Sequence, residues 1–198
     1  MALNDREKWD RQHSERRHPQ EPATFLKEIF ADDRWSRPRG QALDLATGKG
    51  QNAIFLAQQG FEVLGIDISQ VALKEARRCA EEKSLKVTWQ QADLELIQLP
   101  PLRYDLVLNF NYLQRSLVPQ IQRTLKPAGW IIFETYLIDQ RIIGEPKNPD
   151  YLLRHNELLD FFRDFRILYY REGKFPHSGA KAFRAGLLAE KKVSPKPT

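Results

Sequence analysis

The chain has 198 residues, a formal net charge of +5, and is 41% apolar and 29% charged. That length suits one domain with a substantial core and is short for two, and no apolar run approaches a membrane span. The opening MALNDREKWDRQHSERRH is charged from its start and carries no apolar segment of a secretory signal, so a soluble, cytoplasmic protein is expected.

Two stretches before Gly40 lean helical, LNDREKWDRQHSERR and PATFLKEIFADD, the second with Pro22 in its first turn. They read as an N-terminal helical extension or lid over residues 1–39, ahead of a core domain at 40–192 and a flexible tail at 193–198. QALDLA reads as a short buried strand, TGKG as a turn, and NAIFLAQQ as a helix ended by Gly60. FEVLGIDI has the apolar, β-branched run of a strand, and Ser69 stands in N-cap position for the helix QVALKEARRCAEEKS. KVTWQQADL and YDLVLNF continue the strands; QRSLVPQIQRTLK is a helix closed by Pro-Ala-Gly, and GWIIFETYL follows as another strand. Short strands alternating with helices imply right-handed crossovers and a parallel sheet covered on both faces. After the loop DQRIIGEPKNPD, a helical stripe at YLLRHNELLDFFRD leads to two strands, FRILYYREG and KAFRAGLLAEKK. The loop GKFPHSGA between them is too short for a crossover helix, so the pair is antiparallel. The expected fold is α/β: a seven-stranded, mostly parallel Rossmann-like sheet with helices on both faces and a C-terminal antiparallel hairpin.

The lone cysteine, Cys79, excludes an internal disulfide and is expected as buried helix packing. Residues 101–198 hold 16 of the 31 Lys and Arg but only 10 of the 26 Asp and Glu, a local excess of +6. Such an excess suits an anionic partner, nucleic acid included, yet many enzymes are this basic.

The stretch DLATGKGQNA joins the first predicted strand to its helix, where an open parallel sheet receives ligands. Its G-x-G-x-x-A spacing suits a dinucleotide, with Asp67 at the second strand end for the ribose. Asp44 argues otherwise, because a carboxylate at about 4 Å repels a phosphate by roughly 1–4 kcal/mol depending on the effective dielectric. S-adenosylmethionine (SAM) has no phosphate and brings a sulfonium, an ammonium, a ribose diol and an adenine. Asp44 near the ammonium, Asp67 on the ribose and Asp93 near the adenine amino group would each accept a strong, donor-to-carboxylate hydrogen bond.

The series ALDLATGKGQNAIFLAQQGFEVLGIDIS, QQADL, YDLVLNF and LKPAGWIIFETY resembles the class I SAM-dependent methyltransferases, in particular the small bacterial branch related to tellurite-resistance and thiopurine methyltransferases. The resemblance covers roughly residues 5–190. It departs from the usual first turn, D-x-G-x-G-x-G or D-x-A-C-G-x-G, in having Ala46 at the first glycine and Thr47 where a cysteine is common. The resemblance implies that the loop around Ala46, Thr47, Gly48 and Gly50 cradles the methionine part, Asp67 holds the ribose, Ile68 flanks the adenine, and Asp93 with Leu94 contacts the adenine edge. WDRQH is similar to a W-D-x-R-Y/H stretch that lies over the cofactor in this branch, which implicates Trp9 and Arg11.

Each acid also has a plainer role: Asp44 as an acceptor for helix N–H groups, Asp67 and Asp93 as turn residues. In the resembling family the fourth strand ends beside the reacting methyl, placing Asn109, Phe110, Asn111 and Tyr112 there; Asn109 counts among cofactor contacts as well. Amino-methylating enzymes often carry N-P-P-Y at this point, whereas NFNY keeps Asn109 and Tyr112 without the prolines. Methyl transfer is an in-line displacement for which positioning supplies most of the rate. No catalytic acid or base is therefore required, and Asn109, Tyr112 and His177 are the candidates. The other histidines, His13, His18 and His155, fall in no assignable motif, and Arg115 reads as a helix-end charge. No Cys/His cluster has metal-ligand spacing, so no metal is expected. The expected function is methyl transfer from SAM to a small molecule by a monomer or homodimer. The rivals are a nucleic-acid or protein N-methyltransferase and a non-catalytic SAM-binding regulator.

Overall fold

The structure, a computed structural model, describes residues 2–15, 21–177 and 180–193. His18 and all of the expected tail except Val193 lie outside the described residues. In chain order the elements are α1 (Ala2–Glu15), α2 (Thr24–Ala31), β1 (Gln41–Leu45), α3 (Gln51–Gln58), β2 (Glu62–Asp67), α4 (Gln70–Glu82), β3 (Val87–Gln91), β4 (Tyr104–Phe110), α5 (Val118–Thr124), β5 (Leu125–Tyr136), α6 (Gln140–Ile143), α7 (Glu157–Phe161), β6 (Arg166–His177) and β7 (Ala180–Glu190). The strands form one sheet in the order β3-β2-β1-β4-β5-β7-β6. β1 to β5 pair in parallel, and β7 lies antiparallel between β5 and β6. The seven-stranded α/β sheet with its C-terminal hairpin is the one expected from the sequence.

Alternation along the central strands feeds two cores. Leu106, Leu108 and Phe110 of β4 join Phe25, Leu26 and Ile29 of α2 and Ala53 and Leu56 of α3 on one face. Val107 joins Val118 and Ile121 of α5 and Leu158 of α7 on the other. At about 1.5–3 kcal/mol for each fully buried large apolar side chain, the contribution of α2 is that of a core helix. α1 is polar and is held by its Asp10, which reaches the start of α4.

Four local expectations change. Pro22 precedes α2, whose N-cap is Ala23, with its N–H donated to Asn52 Oδ1 at 2.9 Å. The stripe at 151–164 yields only the short α7, because Asn156 adopts a left-handed φ of 63° and donates its N–H to Glu172. The supposed loop GKFPHSGA is strand as far as His177, pairing Phe175 with Ala182 and Pro176 with Lys181. Pro176 is tolerated there because β6 is an edge strand, where a missing N–H leaves no neighbour unsatisfied. Cys79 is half-buried rather than buried, and burial pushes its thiol pKa up.

Candidate active site

The turn between β1 and α3 spends its own N–H groups internally. Thr47 N–H donates to Ile66 C=O at 2.9 Å and Gly50 N–H to Thr47 C=O at 3.0 Å. Gly48 N–H donates to Asp67 Oδ2 at 2.7 Å. Tight folding of this turn puts Ala46, Gly48 and Gly50 at φ of 50°, 55° and 79°. At Gly50 any side chain is excluded twice, since a Cβ would also lie 2.5 Å from Trp89 Cη2 of β3. Ala46 carries its Cβ into the left-handed region at a cost of roughly 1–2 kcal/mol, at the position where the resembling family has glycine.

Asp44 is 1% exposed and sits beneath this turn. Its Oδ2 accepts from Thr47 Oγ1. Burial pushes its carboxyl up to about 7; the Thr47 hydroxyl and the Ala53 N–H oppose that rise, and the charge of Asp67 adds to it. Asp67 closes β2 and accepts the N–H groups of Gly48 and Ser69, the latter at 2.8 Å. Burial raises its pKa too, against those hydrogen bonds and with the charge of Asp10 adding to the rise. The structure thus brings Asp44, Thr47, Gly48 and Asp67 into one group. Ile68 is half-buried beside it. Asp93 follows β3 and accepts the Glu95 N–H at 2.8 Å, while Leu94 belongs to the buried cluster with Leu45 and Ile66.

On α1, Trp9 is 39% exposed with its ring 6.2 Å from that of His13, and Arg11 is exposed. His13 Cε1 would lie 3.5 Å from a Cβ on Gly48, so α1 passes over the turn. Burial lowers the His13 pKa and nearby Lys49 lowers it further. The residue that fixes α1 is Asp10: its Oδ1 accepts from Ser69 Oγ at 2.6 Å and from Val71 N–H at 3.3 Å. No local pattern announces a partner 59 positions away. A groove of about 600 Å³ beside α4 is lined by His13, Lys49, Val71, Lys74 and Glu75 among others. Its lining does not include Asp67, Ile68 or Asp93.

Near the end of β4, Asn109 is buried and donates Nδ2 to the Tyr112 carbonyl at 2.6 Å, and the Tyr112 hydroxyl donates to Gln114 Oε1. Asn111 is exposed in a left-handed conformation, φ 56°. The Tyr136 hydroxyl lies 3.0 Å from His177 Nε2. Burial holds the His177 pKa down at about 4, with Arg184 contributing, so the ring is uncharged at neutral pH. Arg115 is fixed by bonds from Nε to Glu157 Oε1 at 2.8 Å and from Nη2 to Oε2 at 3.0 Å, so it is a clasp on the 150–157 segment and no free helix-end charge. His155 lies between Glu172 and Asp139 at the surface. The residue that sequence reading missed is Arg184, buried in β7; its signal was a lone arginine inside the apolar run AFRAGLLA. Among the described residues there is no cluster of three or more His, Cys, Asp or Glu able to hold a metal, and no helix long and apolar enough to cross a membrane.

Residues 42–129 match the methyltransferase domain family. That stretch is therefore similar to methyltransferase domains, and it lies in a seven-stranded α/β sheet of the Rossmann-like methyltransferase type. Its relatives include ubiquinone biosynthesis O-methyltransferases. The one from Alkalilimnicola ehrlichii is 36% identical over 99 residues, covering 47% of this chain and 40% of that protein. The one from Nitrosospira multiformis is 32% identical over 110 residues, covering 52% and 46%. The matches therefore span less than half the length of these relatives. Among solved structures, TehB from Haemophilus influenzae superposes with a TM-score of 0.72 at 19% identity, over 84% of this chain and 62% of that one, a likeness of fold.

Proposed function

We propose that the protein binds SAM over the β1–α3 turn and transfers its methyl group to a small-molecule acceptor at the ends of β4 and β5. The observation that carries this reading is the state of the turn. A pyrophosphate site needs the turn's N–H groups aimed at the ligand, whereas here those of Thr47, Gly48 and Gly50 already have partners, one of them the Asp67 carboxylate. Such a turn suits a nucleoside without phosphate. In this reading Asp67 takes the ribose hydroxyls on its remaining lone pairs, Ile68 and Asp93 border the adenine, Asp44 counters the ammonium from below, and Trp9 and Arg11 of α1 cover the cofactor.

Bound SAM supplies an electrophilic methyl whose bond to sulfur breaks with the electron pair left on sulfur. The chain's own residues orient the acceptor and take its proton. The uncharged His177, hydrogen-bonded to Tyr136, passes that proton on to solvent, because at a pKa of about 4 the ring does not keep it. The amino-methylating alternative loses support because NFNY lacks both prolines of N-P-P-Y, and with them the rigid turn that would hold a target nitrogen beside Asn109. Calorimetry with SAM, S-adenosylhomocysteine and NAD on the native protein and on Asp67→Ala tests the assignment. The expected result is SAM binding that falls at least about 10-fold in the variant, as loss of a charge-assisted contact predicts, with NAD binding negligible. A native protein that prefers NAD refutes it.

A further inference from the structure

We propose that Arg184 is the anchor for a carboxylate carried by the methyl acceptor, an inference that rests on the methyltransferase reading above. Arg184 lies near the start of β7, opposite Tyr136 at the end of β5 and Gly173 of β6. This is the same edge of the sheet at which β4 and β5 end. Its residue is 1% exposed, and its guanidinium carbon stands 4.6 Å from the Tyr136 ring centroid.

A buried guanidinium must place five donors and cannot shed its proton. Arg184 does not place them all. Nη2 donates to Asn111 Oδ1 at 2.6 Å and to the Glu134 carbonyl at 3.4 Å, and Nε faces Glu134 Oε2 at 3.2 Å in an ion pair of poor hydrogen-bond alignment. Nη1 has no hydrogen-bond partner among the described residues. Glu134 cannot neutralise the site alone, because Arg171 also takes it, at 2.9 Å. Arg171 is paired in turn with Glu28, but that carboxylate is half-exposed and screened by water. Two guanidiniums therefore share one buried carboxylate, and the second carboxylate, Glu28, pairs only with Arg171 among the described residues and lies at the surface, so Arg184 has no acid of its own.

Leaving a buried charged donor unmet is costly, and an oxyanion removes the cost by accepting from Nη1 and Nη2 together in the bidentate geometry that guanidinium prefers. Nη2 is free to change partner. The amide it now serves belongs to exposed Asn111, whose Oδ1 stands where a ligand oxygen would stand. The neighbours Tyr136 and His177 add no negative charge that would oppose an anion. Three inter-strand spacings separate β1 from β7, about 14 Å, so the acceptor's carboxylate lies several ångströms from the atom that receives the methyl. A hydroxyl-bearing aromatic acid has that form.

The test is calorimetric titration of the full chain, loaded with S-adenosylhomocysteine, with 3-hydroxybenzoate, 3-hydroxybenzamide and inorganic phosphate. The native protein is expected to bind the acid at least about 10-fold more tightly than the amide, the margin a charge-assisted bidentate contact supplies. Arg184→Lys should bring acid and amide to similar affinity. Asn111→Asp keeps the buried arginine and fills the anion position with a carboxylate of the protein's own, so it should abolish the preference even if Arg184→Lys fails to fold. Equal affinity for acid and amide in the native protein, no binding of either, or a preference that survives in Asn111→Asp overturns the proposal. Phosphate binding as tightly as the acid also overturns it, by identifying a free-anion site. Failure of S-adenosylhomocysteine to bind at all would instead remove the methyltransferase reading beneath it.

Discussion

Asp44→Asn offers a measurement that isolates the charge under the turn. The native carboxyl is 1% exposed and stands at about 7 against an ordinary 3.8. Carrying that charge in the folded state therefore costs about 4 kcal/mol once the group is ionised. Because the folded pKa lies above the unfolded one, the unfolded chain releases its proton first as pH rises. The native protein consequently loses this stability between the two pKa values, and the loss is complete above the folded one. Asparagine keeps the size and an acceptor oxygen but has no proton to lose. Between about pH 5 and about pH 8 the stability of the variant relative to the native protein should rise by about 2.5 kcal/mol. Asp67, whose pKa is raised as well, titrates in both proteins and largely cancels in the difference. Urea unfolding at the two pH values measures it. A relative stability that stays constant with pH, within about 0.5 kcal/mol, would refute a carboxylate whose ionisation is opposed by burial.

Two further substitutions probe the frame around the site. Ala46→Gly relieves a left-handed φ of 50° and should stabilise the protein by about 1 kcal/mol after the entropy of glycine is deducted, read as a shift of the urea midpoint with unchanged slope. Arg115→Met strips Glu157, 2% exposed, of its bidentate partner. At neutral pH this should destabilise by about 2 kcal/mol, the value for a buried pair discounted for the partial exposure of Arg115. In the native protein burial pushes the Glu157 carboxyl up, but bonds from Arg115 and the Arg154 N–H outweigh it and hold the group below the ordinary range. The deficit should shrink as acid protonates Glu157 in the variant.

The parallel half of the fold is legible in the sequence for a physical reason. Strands such as YDLVLNF are buried on both faces and so read as mostly apolar runs without strict alternation, and Ser69 caps α4 through the Ala72 N–H just as its position before the helix predicts. The hairpin was visible in its order but not its extent. Gly173 and Pro176 are turn residues by local rule, yet pairing with β7 carries the strand through both. The contacts of Asp10 and Arg184 were not legible because the partners of each are distant in sequence: Ser69 for one, Glu134 and Asn111 for the other. Asp44, Gly48 and Asp67 come together because the turn that gathers them is local, and Asp44 holds the underside of that turn.

The position of β7 has a consequence for how the molecule is made. The strand that leaves the ribosome last of the seven is an interior one, flanked on both sides, so β5 and β6 present unsatisfied edges until synthesis has passed residue 190. Arg184 arrives on that strand, so this end of the sheet can assemble only once β7 has inserted between β5 and β6.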